Sequence, residues 1–373
     1  MFDRIAGFFR LIGQTIGRWV RLFAAWAFWP FLAAHGWYAR RTWAIRLPII
    51  GFLALLVVLY GYFIWQTQVW SNFNTNFVDQ YRLSDRKVPA GQEIPTADGT
   101  AAKSCQRSAI VDVAADLTDF NVNQNAWISS MVLYKMGFFG IDWDHTPFLD
   151  NKASFQRGIN QAVRRTSVEL VDTLGRVRGT SGINSDLQNA RGNLQFDEYS
   201  WYFGLNPFGP KTPTPAYYRT AIDSLRKFNT DLAGCNAVFD GRADNLIQFI
   251  DRIANDLGST SDMLAERSEN HDRGWFDTRA DDRFWFAYGQ LYAYYAILSA
   301  AQADFSQVVS ERNLGAIWSG TTRQFQAALR IQPAIISNGR EDGWIMPSHL
   351  ATMGFYILRV RSNLVEIRSV LDR

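Results

Sequence analysis

Apolar positions along this chain recur at three- and four-residue steps nearly throughout, and one stretch breaks the rhythm by being apolar without interruption. From Leu47 to Val78, thirty-two residues pass without a charged side chain. The core of that run, Leu47–Trp65, is 19 residues long, close to the roughly 20 that cross about 30 Å of hydrocarbon as a helix. Pro48 sits where a first-turn proline is tolerated, and Tyr60, Tyr62, Trp65 and Trp70 gather at the far end like an interfacial belt. The run starts late and no small-residue cleavage site follows it, so an uncleaved transmembrane helix over 47–66 is expected rather than a signal peptide.

Ahead of the run, Phe2, Ile5, Phe9, Ile12, Ile16, Trp19, Phe23 and Trp26 line one face of a helix, and Asp3, Arg4, Arg10, Gln14, Arg18 and Arg21 fall opposite. Aromatics against arginines predict an amphipathic helix lying in a leaflet, its cations on anionic lipid heads. Two other readings stay open: packing on a partner protein, or a second span over Leu22–Ala39.

Beyond the run, Val69, Phe73 and Phe77 predict a helical stalk over 66–83, and Ser84–Ser104, rich in small residues with Pro and Gly, reads as a linker. Residues 105–373 form the remaining domain. Phe155, Ile159, Val163, Leu170 and Leu174 predict a helix over about 152–178; Leu246, Ile250, Ile253 and Leu257 predict another after an Asp240 cap. A third, through Phe284, Tyr288, Leu291, Tyr295 and Leu298, opens at Thr278 with Asp281 three residues on. A fourth, through Met353, Ile357, Val360, Leu364, Ile367 and Leu371, takes Ser348 as its cap. Shorter helices fit 122–136, 215–232 and 314–329. Four prolines make Leu205–Pro215 an extended crossover. No stretch alternates apolar and polar between hairpin turns. The expected architecture is all-α: an amphipathic helix over 1–46, one span over 47–66, stalk and linker over 67–104, and a helical bundle over 105–373.

Charge sets the orientation. Residues 1–46 hold seven arginines (Arg4, Arg10, Arg18, Arg21, Arg40, Arg41 and Arg46) against Asp3, a net of +6. Residues 79–373 hold 31 basic and 34 acidic side chains, a net of −3, and the two sum to the chain's +3. Basic flanks stay in the cytoplasm, so with a single pass the bundle is expected on the far, periplasmic side. The two cysteines, Cys105 and Cys235, both fall on that side, where an oxidising compartment favours a bridge.

Blocks at Gly137–Trp143 (GFFGIDW), Thr146–Lys152 (TPFLDNK), Asp172–Thr180 (DTLGRVRGT) and Phe276–Asp282 (FDTRADD) resemble a family of single-span bacterial proteins, domain of unknown function 2333. The resemblance implies a Gram-negative inner-membrane protein and brings no catalytic residues with it.

Chemistry must therefore be sought residue by residue. No zinc-protease, nucleophile-elbow, dinucleotide or phosphate-loop motif occurs. Ser-x-x-Lys appears at Ser84/Lys87 and Ser224/Lys227, without the partner motifs an acyl-enzyme needs. Asp142, Asp144 and His145 are too closely adjacent to converge on one ion, and no metal or cofactor is expected. Acids beside aromatics are the stronger signal: Asp142 and Asp144 about Trp143, Asp197 and Glu198 before Tyr199 and Trp201, Asp272 and Asp277 about Trp275 and Phe276, Glu341 and Asp342 before Trp344. Converging, they would form a groove in which rings stack a sugar and paired acids cut it, with Glu198, Asp277 and Asp281 as catalytic candidates. Against this, 32 arginines to six lysines favour bidentate ion pairs, with Arg279, Asp281, Asp282 and Arg283, joined by Arg176 and Arg178, as structural pairing residues. The mildly acidic domain excludes nucleic acid. The expected function is a membrane-anchored scaffold or assembly factor, its partners the phospholipid bilayer and inner-membrane or periplasmic proteins, its oligomeric state open. The alternative is a periplasmic hydrolase of peptidoglycan or another glycan.

Overall fold

Helix α1 runs unbroken from Phe2 to Ala39 through Pro30, and α2 follows from Trp43 to Gln68. The computed structural model describes residues 2–86, 88–95, 103–176, 182–343 and 345–373, without the side chains of residues 2–16, 20, 24, 27, 144 and 205. Arg4, Arg10, Asp144, Lys87, Arg178 and Trp344 thus lie, wholly or in their side chains, outside the described residues. The chain divides into two compact units, Met1–Tyr62 and Phe63–Arg373. Among the described residues, α2 is the helix long and apolar enough to cross a membrane.

Within the first unit, the turn between the helices is closed by Arg46, expected from sequence only as a membrane-facing cation. Its guanidinium donates to Tyr38 O at 3.3 Å and to Ala39 O, and lies 5.7 Å from the Tyr38 ring and 5.8 Å from the Trp43 ring. An arginine there meets the last carbonyls of α1 and offsets the negative end of its dipole. Arg41 lies 4.7 Å over the Trp37 ring. Trp19, Phe23 and Trp26 are exposed on α1.

The second unit is built round α9 (Ala280–Asp304), which is buried on almost every side, aromatics Phe284, Tyr288 and Tyr292 alternating with Ala287, Ala293 and Ala300. A helix apolar all round is a core helix. Helix α5 (Asn151–Glu169) lies along it, backbone on backbone: a Cβ at Gly158 would come 2.0 Å from Phe286 O, and one at Gly289 2.1 Å from Phe155 O. Around this pair pack α3 (Ala109–Asp119), α7 (Thr214–Ala233), α6 (Ser185–Leu194), and the long antiparallel partners α8 (Ala243–Asn270) and α12 (His349–Leu371), with α11 (Gly315–Leu329) between α12 and α9. Short helices α4 (Val132–Met136) and α10 (Ser306–Glu311) and one antiparallel hairpin, β1 (Phe203–Leu205) with β2 (Phe208–Pro210), complete it. The fold is all-α.

Several local expectations need correction. The helix over 122–136 is three short pieces, because other side chains take its backbone groups. Gln156 accepts from Ile128 N at 3.1 Å and donates to Ala126 O at 2.8 Å, and Asn125 exchanges hydrogen bonds with Ser71. Thr278 does not cap α9; Asp277 accepts from Arg279 N at 3.3 Å, a side-chain turn that starts the helix two residues later. Asp240 does not cap α8, since Arg242 Nη2 holds its carboxylate at 2.8 Å. Ser348 does cap α12, accepting from Ala351 N at 3.1 Å. Helices α3 and α6 have no counterpart in the elements expected from sequence.

The stalk is the largest departure. Helix α2 ends at Gln68, and residues 69–86 fold onto the domain. Trp70 stacks on Phe155 at 4.8 Å, and Phe73 and Phe77 stack on Tyr292 at 5.6 and 4.3 Å. The spacing that suggested a helix marks aromatic anchors on a tightly turned strap. The expected linker is fastened too where it is described: Arg86 pairs with Asp304 at 3.1 Å, and Ile94 N donates to Ser104 O at 2.8 Å.

Cys105 and Cys235 form the disulfide, closing a separation of 130 residues. Replacing both with serine is expected to lower stability by roughly 2–4 kcal/mol, chiefly by freeing the unfolded chain. A fall in melting temperature of the full-length protein in detergent measures it. Full alkylation of both cysteines without reductant would overturn the bridge.

Candidate functional site

Where α5 begins, Asp150, Asn151 and Lys152 put two opposite charges within one turn, and both are buried. Lys152 reaches to the end of α2, donating to Gln66 O at 2.9 Å and Val69 O at 2.6 Å. Lysine there satisfies terminal carbonyls and meets the negative helix end. Burial pushes its pKa down to about 8.

Asp150 points the other way, toward the first turn of α9, where Asp281 and Asp282 sit. Its carboxyl is fully buried, and neither oxygen accepts a hydrogen bond among the described residues. Burial, then the charges of Asp282 and Asp281, raise its pKa far above the usual carboxylate range. Asp281 is raised to about 8, again by burial first and Asp282 second. The helix dipole expected to keep Asp281 ionised is outweighed, because a buried carboxylate beside another loses more hydration than the dipole returns. Among the described residues Asp281 has no ion-pair partner. It is held protonated near neutrality, with the Asn151 amide nitrogen 2.9 Å from Oδ2 once that amide is turned to meet Trp285 Nε1 at 3.2 Å. Asp282 accepts from Ser154 Oγ at 2.7 Å.

Asp282 also faces a cleft of about 430 Å³, whose walls include Trp143, Tyr134, Tyr199, Asp142, Arg157 and Arg279. Two of the acid-and-aromatic blocks read from sequence do converge here, through Asp142–Trp143 and Tyr199. The Asp272–Phe276 block contributes instead through the residues after it, Arg279, Asp282 and Arg283, and Glu341 lines a different groove.

The sequence matches the family described as an uncharacterized protein conserved in bacteria (DUF2333), over residues 100–274 and 265–373. The chain belongs to DUF2333. No curated protein and no solved structure matches it. The DUF2333 match takes in the whole cleft, Asp282 included, and the adjoining Asp150 and Asp281, and leaves out α1 and α2.

Two of the three catalytic candidates in this DUF2333 chain are held in structural pairs. Glu198 accepts from Arg157 at 3.3 Å, Arg164 at 3.2 Å and Asn160 at 2.9 Å. Asp277 accepts from Arg267 Nε at 2.9 Å and Asn338 at 2.8 Å. Burial pulls Asp277 upward, but those donors outweigh it and its carboxyl sits below the usual value. The third, Asp281, lies behind the cleft wall. Arg283 lies in the wall and donates to Met263 Sδ at 3.3 Å; Arg176 donates to its own helix at Asp172 O. Ser224 and Lys227 form no dyad, since Lys227 pairs with Asp186 at 2.8 Å and Ser224 donates to Thr220 O.

Sequence reasoning misses Asp150, Lys152 and Asp304. Each is an ionisable residue almost wholly enclosed, and only burial distinguishes it from a surface residue; the nearest signal is an acid and a base two residues apart at 150 and 152.

Proposed function

We propose that this protein is a membrane-anchored scaffold of the bacterial cell envelope, its domain in the periplasm, acting by protein–protein contact. The observation behind this is the seating of the end of α2 in the domain core. Phe63 is fully buried with its ring 4.9 Å from Trp143, Lys152 holds the terminal carbonyls, and Trp70 stacks on Phe155. No slack separates residue 63 from the core. A protein that presents a surface at a set distance from a membrane benefits from such seating, whereas a tethered enzyme working along a polymer benefits from reach. The arginine asymmetry about the apolar run supports the periplasmic side, and the ion-paired Glu198 and Asp277 support structural roles for those acids.

The hydrolase of peptidoglycan or another glycan keeps one specific observation: Asp282 lines a ring-walled cleft with a protonated Asp281 adjoining it, a pairing that acid–base cleavage of a glycosidic bond uses. Crosslinking in native membranes, followed by mass spectrometry, separates the two readings. The scaffold predicts reproducible capture of the same inner-membrane or periplasmic proteins, by wild type and by Asp282→Asn alike. Capture of none, with sacculus cleavage by wild type that Asp282→Asn abolishes, would replace it with the hydrolase.

A further inference from the structure

We propose that the turn Phe138–Ile141 is a second membrane contact, an aromatic wedge that enters the interfacial layer of the bilayer beside the end of α2. The turn is closed on itself, Phe138 N donating to Ile141 O at 2.8 Å and Ile141 N to Phe138 O at 3.1 Å. Its two central residues both have left-handed backbone, Phe139 at φ 52° and Gly140 at φ 91°. Glycine takes that conformation freely, but a bulky aromatic does so against its preference. The ring so held is not used to fill the core: Phe139 is 69% exposed. Met136, Phe138 and Ile141, in the turn or two residues before it, are exposed with it. Four large apolar side chains within six residues make a patch that water disfavours.

The occupant is identified by the segment to which the patch is fastened. Directly beneath it, Trp143 is buried, its ring 6.1 Å from Phe138 and 4.9 Å from Phe63, and its Nε1 donates to Leu133 O at 2.8 Å. Phe63 belongs to the apolar run itself, three residues after Tyr60 and two before Trp65. Gln68, the last residue of α2, donates to Phe148 O at 2.9 Å. The patch is therefore pinned to residues 63–68 of the same unit, where Trp65 lies, and the chain's continuity from there into the apolar run makes lipid the occupant. Exposed Lys135 beside Met136 adds a cation suited to lipid phosphates. The wedge rests on the reading that α2 crosses a membrane, and it is independent of whether the domain is a scaffold or a hydrolase.

The test uses the full chain in nanodiscs. With both native cysteines in the disulfide, Phe139→Cys offers one site for an environment-sensitive fluorophore, and circular dichroism checks that the labelled protein keeps its helices. The wedge predicts blue-shifted emission, quenched strongly by lipids doxyl-labelled near the headgroup and weakly by aqueous iodide. Emission typical of water, with iodide quenching dominant, would overturn the wedge while leaving the span intact. Blue-shifted emission indifferent to doxyl lipid would assign the patch to a second copy or another protein, and overturn it equally. Failure of the chain to enter nanodiscs would remove the span and the wedge together.

Discussion

Replacing Asp304 with alanine should destabilise the protein by about 3–5 kcal/mol, the usual consequence of removing one partner from a buried charged network. Asp304 is the last residue of α9 and is completely buried. Its carboxylate accepts from Ser108 Oγ at 2.7 Å, Ala109 N at 2.8 Å and Ile110 N at 2.9 Å, and pairs with Arg86 at 3.1 Å. One side chain thus ties the end of the core helix to the start of α3 and to the strap after α2. Without it, two backbone donors at a helix start lose their acceptor, and the largely buried Arg86 guanidinium keeps Arg107 O at 2.7 Å but loses its ion-pair partner. Chemical denaturation of full-length protein in detergent reads the loss as a shift of midpoint. Removing the exposed Asp342, paired with Arg340 at 3.0 Å, is the control and should change little. Equal effects from the two variants would refute the account of Asp304.

Raising the pH should weaken the fold, and Asp281→Asn should remove part of that dependence, the rest staying with the buried Asp150. The folded-state value of Asp281 is about 8, above the ordinary 3.8. Between those values the native protein keeps a proton that the unfolded chain has released. The contribution is therefore fully present below about pH 4 and is lost as pH climbs to about 8. Four units correspond to a ceiling of about 5 kcal/mol, and coupling to Asp150 and Asp282 spreads the change over a wider range. Asparagine has nearly the same shape and no charge to bury, so the variant's advantage over wild type should be small at pH 5 and grow towards pH 9. Denaturant midpoints at pH 5, 7 and 9 make the comparison. Parallel curves would mean that Asp281 is ionised in the folded protein.

How legible each feature is depends on its physical origin. Helix α12 is readable with its cap because Ser348 and the stripe from Met353 to Leu371 are local properties of one segment. Helix α9 is legible only in part: the stripe from Phe284 to Leu298 is a fraction of a helix buried all round, and its start is set by the Asp277 side chain rather than by Thr278. The segment 122–136 misleads because Gln156, far along the chain, supplies hydrogen bonds that a helix would otherwise make for itself. At the cleft, the Asp142–Trp143 and Tyr199 blocks do converge, but whether an acid beside a ring is reactive or ion-paired depends on which arginine the fold brings to it. Arginines Arg157 and Arg164 reach Glu198 from α5, and Arg267 reaches Asp277 from α8.

By itself the sequence determined an apolar helix with basic residues before it, an all-α domain after it, two cysteines placed to pair, and the blocks by which the family is recognised. These arise from composition, period and charge along neighbouring residues, which helix geometry reads directly. Tertiary structure alone decided that the expected stalk is a strap on the core, that Lys152 closes the end of α2, that Asp150 and Asp281 are held protonated and Asp304 is a buried tie, and that Phe139 points outward. Each of these depends on burial and on partners from distant segments. Enclosure by the rest of the chain sets how much hydration a charge loses, and that loss governs whether the group stays charged and which partner it must find.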